Sequence, residues 1–197
     1  MKTHFLLARH GQTQWNLLKK LQGRLDSEIT ETGYQQAQQL AETLASKPAS
    51  KSVDLIVTSP LPRASITANI CQQKLQCPIQ TNEGLIERHF GDWQSQLFDD
   101  LGDQPYFSEI FFQVTEHAPP NGESGIDCAN RFKQALIEIA TKNPQKAILI
   151  VTHGDAIRCF STQLKQVAFC DAYSQYGNGS VIATEFDHQL EKFEILL

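Results

Sequence analysis

The stretch Phe5-Leu6-Leu7-Ala8-Arg9-His10-Gly11-Gln12-Thr13 decides how this chain is read. Four apolar residues in a row fit a strand covered on both faces, as in a parallel sheet, and the run stops at an arginine, a histidine and a glycine. Ligands of open α/β sheets bind beyond the carboxyl ends of such strands, so that polar stop is a candidate site. The arrangement recurs twice. Val53-Asp54-Leu55-Ile56-Val57 runs into Thr58-Ser59-Pro60-Leu61-Pro62-Arg63, and Ala147-Ile148-Leu149-Ile150-Val151 runs into Thr152-His153-Gly154. Three strands then deliver Arg9, Arg63, His10 and His153 to one sheet edge, which implies a pocket for an anion.

Working outward, the loop after the first strand carries Asn16 and the polar turn Gln22-Gly23-Arg24. Glycine beside arginine can bring both a backbone N–H and a guanidinium to a phosphate. Tyr34, Ala37, Leu40, Ala41 and Leu44 have helical spacing, with Thr30 or Thr32 as N-cap and Pro48 beyond the end. Arg63 opens a second helix through Ile66, Ile70 and Leu75. A cation there is poorly matched to the helix dipole, and an anion beside it resolves the conflict. Pro78 to Thr81 reads as a short strand. Glu87, in Leu85-Ile86-Glu87-Arg88, is a candidate general acid, because a dianion beside a carboxyl group favours its protonated form.

From Gln94 to Glu123 the sheet-and-helix rhythm stops. Phe98, Tyr106, Phe107, Phe111 and Phe112 alternate with Asp99, Asp100, Asp103, Glu109 and Glu116, which predicts a small helical lid. The aromatics read as the core of that insertion, and the acids as a mouth that repels bisphosphates. Ile126 to Lys142 is an amphipathic helix feeding the Ala147 strand, and a right-handed crossover puts that strand in the same sheet. Ala156 to Lys165 reads as a further helix in which Arg158 and Cys159 are structural. Asp155 stands close enough to tune His153 or oppose a phosphate. Ser180 to Phe186 and Leu190 to Leu196 predict a closing hairpin.

The chain has 197 residues, 41% of them hydrophobic, which fits one large domain spanning 1–197 with a lid insertion at about 94–123. A net charge of -5 argues against nucleic acid as a partner. The 5 cysteines form no C-x-x-C pair and fit reduced thiols in a cytoplasm. No apolar run approaches the ~20 residues of a membrane span, so no membrane partner is expected. No Asp/Glu/His cluster has ligand spacing and there is no P-loop, so the sequence implies neither a metal nor another cofactor.

Arg9-His10-Gly11, Arg63 after a Ser-Pro turn, Glu87 and His153-Gly154, each following a strand and in this order, resemble the histidine phosphatase superfamily, also called the phosphoglycerate mutase-like family. The resemblance covers nearly the whole chain. It implies a three-layer α/β/α sandwich with a mostly parallel sheet, and metal-independent phosphoryl transfer through a phosphohistidine on His10. Arg9, Arg63, Glu87 and His153 are then the other catalytic residues, with His153 as an imidazolium donor. Asn16, Gln22, Gly23 and Gly154 fall at positions that meet the phosphate, and Arg24 at the rim. The expected substrate is a small phosphorylated metabolite, hydrolysed as a phosphomonoester. The rivals are a phosphoglycerate mutase that returns the phosphate to substrate and a non-catalytic phosphoprotein-binding module. A binder has no need of a nucleophile or a proton donor.

Overall fold

The computed structural model describes residues 1–46, 52–165 and 176–196. Its centre is a sheet of 6 strands in the order β3-β2-β4-β1-β5-β6. These are β1 (Lys2–Arg9), β2 (Leu55–Thr58), β3 (Ile79–Thr81), β4 (Ala147–Thr152), β5 (Val181–Asp187) and β6 (Lys192–Leu196). β1 pairs parallel with β4, and β2 parallel with both β4 and β3. β5 runs antiparallel to β1 and to β6, closing the sheet with the expected hairpin. The strand read at Val53 begins at Leu55, because Asp54 is engaged at the sheet's lower rim: its carboxylate accepts from the Ala147 amide at 2.8 Å.

Alternation along the buried strands explains the layers. Phe5 and Leu7 of β1, Leu55 and Val57 of β2, and Ile148 and Ile150 of β4 face one side. There they meet Phe132, Leu136 and Ile139 of α5 (Gly125–Lys142) and Ile157 and Phe160 of α6 (Gly154–Lys165). Ala8, Ile56, Leu149 and Val151 face the other, against Leu40 and Leu44 of α2 (Glu31–Ala45) and Ala64, Ala68 and Cys71 of α3 (Pro62–Leu75). Thr30 caps α2 by accepting the Gly33 amide at 3.0 Å, and Ser124 caps α5 by accepting the Asp127 amide at 3.0 Å. Such caps contribute about 1 kcal/mol each.

A single helical turn, α1 (Gln14–Leu17), follows β1. The insertion is helical as expected, with a 3₁₀ turn at Phe98–Leu101 and α4 (Phe107–Phe112). Leu21, Phe90, Trp93, Leu101, Ile110 and Phe111 form its own small core. α6 starts two residues before the helix read from sequence, at Gly154, and this aims its first amides at the site. Pro48 and Cys170 lie outside the described residues. Among the described cysteines Cys71, Cys77, Cys128 and Cys159 are free and buried.

Candidate active site

A narrow cavity, partly open to solvent, lies beyond the carboxyl ends of the parallel strands. Arg9, His10, Asn16, Gln22, Gly23, Arg63, Glu87 and Gly154 line it, so most of the residues picked from sequence meet around one space. The two histidine rings lie 5.2 Å apart between centroids, with His153 fully buried just behind.

His10 is almost completely buried and its ring is fixed at both nitrogens. Nδ1 lies 2.7 Å from the Gly11 carbonyl, which can only accept, so the proton of the neutral ring resides on Nδ1. Nε2 then carries the lone pair, and it accepts from Nε of Arg63 at 3.2 Å. Burial, then Arg63 and Arg9, push the pKa of His10 well below 6.5. The free base at Nε2 is thus the resting form, which is the condition for nucleophilic attack.

The cations are held in place by backbone. Arg63, fully buried at the start of α3, donates to the carbonyls of Gly23 and Leu25 and to the Asp26 carboxylate, each at 2.7 Å. The mismatch with the helix dipole is therefore met partly by Asp26 and by two carbonyls, before any ligand is considered. Gly23 sits at φ 55, a left-handed conformation that turns its carbonyl to Arg63. Arg9 donates to the Tyr176 carbonyl at 2.6 Å, and its guanidinium lies flat on Gly154, where an added Cβ would stand 3.1 Å from it.

His153 Nε2 is 2.7 Å from the Ser59 hydroxyl. Burial, then Arg63, His10 and Arg9, push its pKa well below 6.5. The protein's own groups thus favour the neutral ring, and the imidazolium donor expected from the sequence needs an anion beside it.

Glu87 hangs on the first turn of α6. Its Oε1 accepts from the amides of Arg88 at 2.8 Å and Ala156 at 2.9 Å, and its Oε2 from the amide of Asp155 at 3.2 Å. Burial and then the Asp155 charge raise its pKa, against the amide donors and Arg63. Asp155 also lines the cavity, with its carboxylate clamped by Arg158 and Arg88. The nearer consequence of its charge falls on Glu87.

Asn16 closes the α1 cap, its Oδ1 accepting from the Thr13 amide at 3.1 Å and from Asn178 at 3.1 Å. Gln22 donates to the Thr13 hydroxyl at 2.8 Å. Arg24 does not line the cavity; it reaches the Glu87 carbonyl at 3.4 Å and pairs with Glu123 at 3.5 Å. Sequence reasoning missed Asp26 and Ser59 as partners of Arg63 and His153, and it missed Lys20, which lines the cavity beside Trp15. The lid aromatics are the core of the insertion, as expected, and some of them do more. Phe98, Phe111 and Phe112, with Phe90, face the cavity as well as one another, while Asp99, Asp100, Asp103 and Glu116 face solvent. The lid residues that line the cavity are aromatic, and none of its acids is among them.

A sheet-edge pocket with two facing histidines, two arginines and a buried carboxyl defines a phosphoryl-transfer site of one class. The family model for the histidine phosphatase superfamily (branch 1) matches residues 5–196, and the chain belongs to that family. It is 32% identical over 170 residues to a metal-independent phosphoserine phosphatase of Arabidopsis thaliana, covering 84% of this chain and 70% of the relative. It is 30% identical over 185 residues to a probable phosphoglycerate mutase, GpmB, of Proteus mirabilis (strain HI4320), covering 92% of this chain and 84% of the relative. The solved structure of Bacillus stearothermophilus YhfR superposes with a TM-score of 0.85 at 31% identity, over 99% of this chain and 96% of that one. The chain is a phosphomonoesterase of the histidine phosphatase type.

Proposed function

We propose that the chain hydrolyses a small phosphomonoester with an apolar leaving group, and that His10 is its nucleophile. The observation that carries this reading is the fixed tautomer of His10, with Nε2 unprotonated and beside Arg63. Phosphoryl transfer asks the protein for an in-line nucleophile and for positive charge around the equatorial oxygens. Arg9, Arg63 and His153 supply that charge, with Asn16, Gln22, Gly23 and the Gly154 turn completing the cradle and Arg24 bracing its rim. The Nε2 lone pair attacks phosphorus as the bond to the leaving oxygen breaks, and Glu87 gives that oxygen its proton. Water then attacks the phosphohistidine, Glu87 takes its proton back, and phosphate leaves with the P–N bond broken.

The aromatic wall supports the leaving-group assignment. Phe90, Phe98, Phe111, Phe112 and Leu21 offer an apolar body a dry surface, with Lys20 as a cation at the rim. A second phosphate finds no cradle like the first there, which favours hydrolysis over mutase chemistry. The buried free thiols fit a reducing cytoplasm, and the family match from residue 5 to 196 fits one domain with the lid inserted in it. No helix among the described residues is long and apolar enough to cross a membrane.

A panel of phosphomonoesters incubated with a chelator tests this. Phenethyl phosphate should release phosphate with kcat/KM about tenfold above that for a sugar phosphate. Interconversion of phosphoglycerate isomers without phosphate release would replace the reading with the mutase.

A further inference from the structure

The cluster behind Glu87 holds more charge than holding a fold together requires. Arg88 and Arg158 are both fully buried. Nε of Arg158 donates to Oδ1 of Asp155 at 2.5 Å, and Arg88 donates to Oδ2 at 3.3 Å. Both guanidinium groups also reach the lid: the Ile110 carbonyl at the end of α4 accepts from Arg88 at 2.6 Å and from Arg158 at 3.4 Å. Arg158 further donates to the Gln113 carbonyl at 2.9 Å, and Arg88 to the Glu123 carbonyl at 2.8 Å. The consecutive residues Glu87 and Arg88 thus grip one helical turn. Glu87 binds its amides, and Arg88 binds the carboxylate of Asp155 in that same turn.

From this juxtaposition we propose that Asp155, clamped between Arg88 and Arg158, is a positioning residue for the proton donor Glu87, fixing its carboxyl group and placing a permanent negative charge beside it. The proposal rests on the reading of Glu87 as general acid. Two backbone N–H groups at the N-terminus of α6 and that of Arg88 favour an ionised carboxylate, and an ionised Glu87 has no proton to give. Arg63 of α3 and Arg131 of α5 act in the same direction on Glu87, and Arg9, His10 and the Arg24 guanidinium lie around it. Burial and the charge of Asp155 act the other way. Because the clamp also ties to Ile110 and Gln113, the lid that holds the leaving group and the acid that protonates it share one anchor.

The test compares kcat/KM against pH for phenethyl phosphate, whose alkoxide needs a proton, and para-nitrophenyl phosphate, whose phenolate does not. In Asp155→Asn the alkaline limb for phenethyl phosphate should move down by about one pH unit, with about a tenfold loss near neutrality. Turnover of para-nitrophenyl phosphate should stay within about twofold, and Asp155→Glu, which keeps the charge, should restore most of the loss. Asp155→Asn combined with Arg158→Met removes one charge of each sign, so its alkaline limb should move less than in the single variant while the loss stays confined to phenethyl phosphate, and a fold intolerant of an unpaired buried Arg158 still yields an answer. Equal losses on both substrates in either variant, or an unmoved limb in Asp155→Asn, would overturn the proposal. Glu87→Gln separates the two readings: if it fails to discriminate between the substrates, it is the general-acid role that falls.

Discussion

The two walls of the cavity are built on different rules. The strand-end wall is polar, rigid and fully buried, with Arg63 bound to two carbonyls and a carboxylate and His10 fixed at both ring nitrogens. The lid wall is aromatic, with Phe90 and Phe111 buried and Phe98, Phe107 and Phe112 part-buried, Phe98 packed edge-on against Phe111 at 4.8 Å and Phe107 against Phe112 at 6.1 Å. The first has backbone partners that leave a side chain one position. The side chains of the second meet through ring contacts of about 1 kcal/mol each, and one ring can be altered at small cost to the fold. Phosphoryl chemistry is thus tied to the sheet, while the choice of leaving group sits on the rings of the insertion.

Substitutions in the first wall should therefore strike the chemical step itself, and those in the second should redistribute turnover among substrates. His10→Ala should lower kcat by about 10⁴-fold on aryl and alkyl phosphates alike, measured as phosphate release, while calorimetry still detects phosphate binding. Glu87→Gln should cost about 10³-fold on an alkyl phosphate and far less on para-nitrophenyl phosphate. Arg63→Gln should lower kcat/KM by about 10²-fold on both, since it removes a preorganised donor. Phe112→Ala should raise KM for phenethyl phosphate about tenfold and leave KM for a short alkyl phosphate nearly unchanged. Equal effects of Phe112→Ala on both would erase the distinction between the walls.

Acid should expose the same contrast in stability. His10 and His153 have pKa values pushed well below 6.5 by burial and by the arginines, so below pH 6.5 the unfolded chain binds protons that the native pocket refuses. Stability should be unaffected by this pair above that pH. It should fall by up to about 1.4 kcal/mol per pH unit for each ring as pH drops below it. His153→Gln should flatten the dependence of Tm on pH between 6.5 and 5, whereas Phe112→Ala should leave the slope as it was.

The difference between the walls also marks what the sequence disclosed. Apolar runs ending in Arg9-His10-Gly11 and His153-Gly154 state both the sheet and the edge where it is polar, because burial on two faces leaves a continuous apolar signature. The resemblance to the histidine phosphatase superfamily then sorted those residues into roles. The lid gave no comparable signal. Its phenylalanines pack against one another and face the cavity at once, so no periodicity separates core from substrate wall. Asp155 was visible as a carboxylate near His153, but its partners come from Arg88, far away in sequence, and from Arg158 one helical turn on, a pairing that only the folded chain brings together. Lys20 reaches the cavity from a loop without a pattern.

The central claim is that Nε2 of His10 becomes bonded to phosphorus. Rapid mixing with para-nitrophenyl phosphate, quenching at alkaline pH and mass spectrometry of the peptides should show a phosphoryl group on the peptide containing His10, labile to acid and absent in His10→Ala. Steady turnover with no phosphorylated peptide at any quench time, or with the label on another residue, would contradict the account.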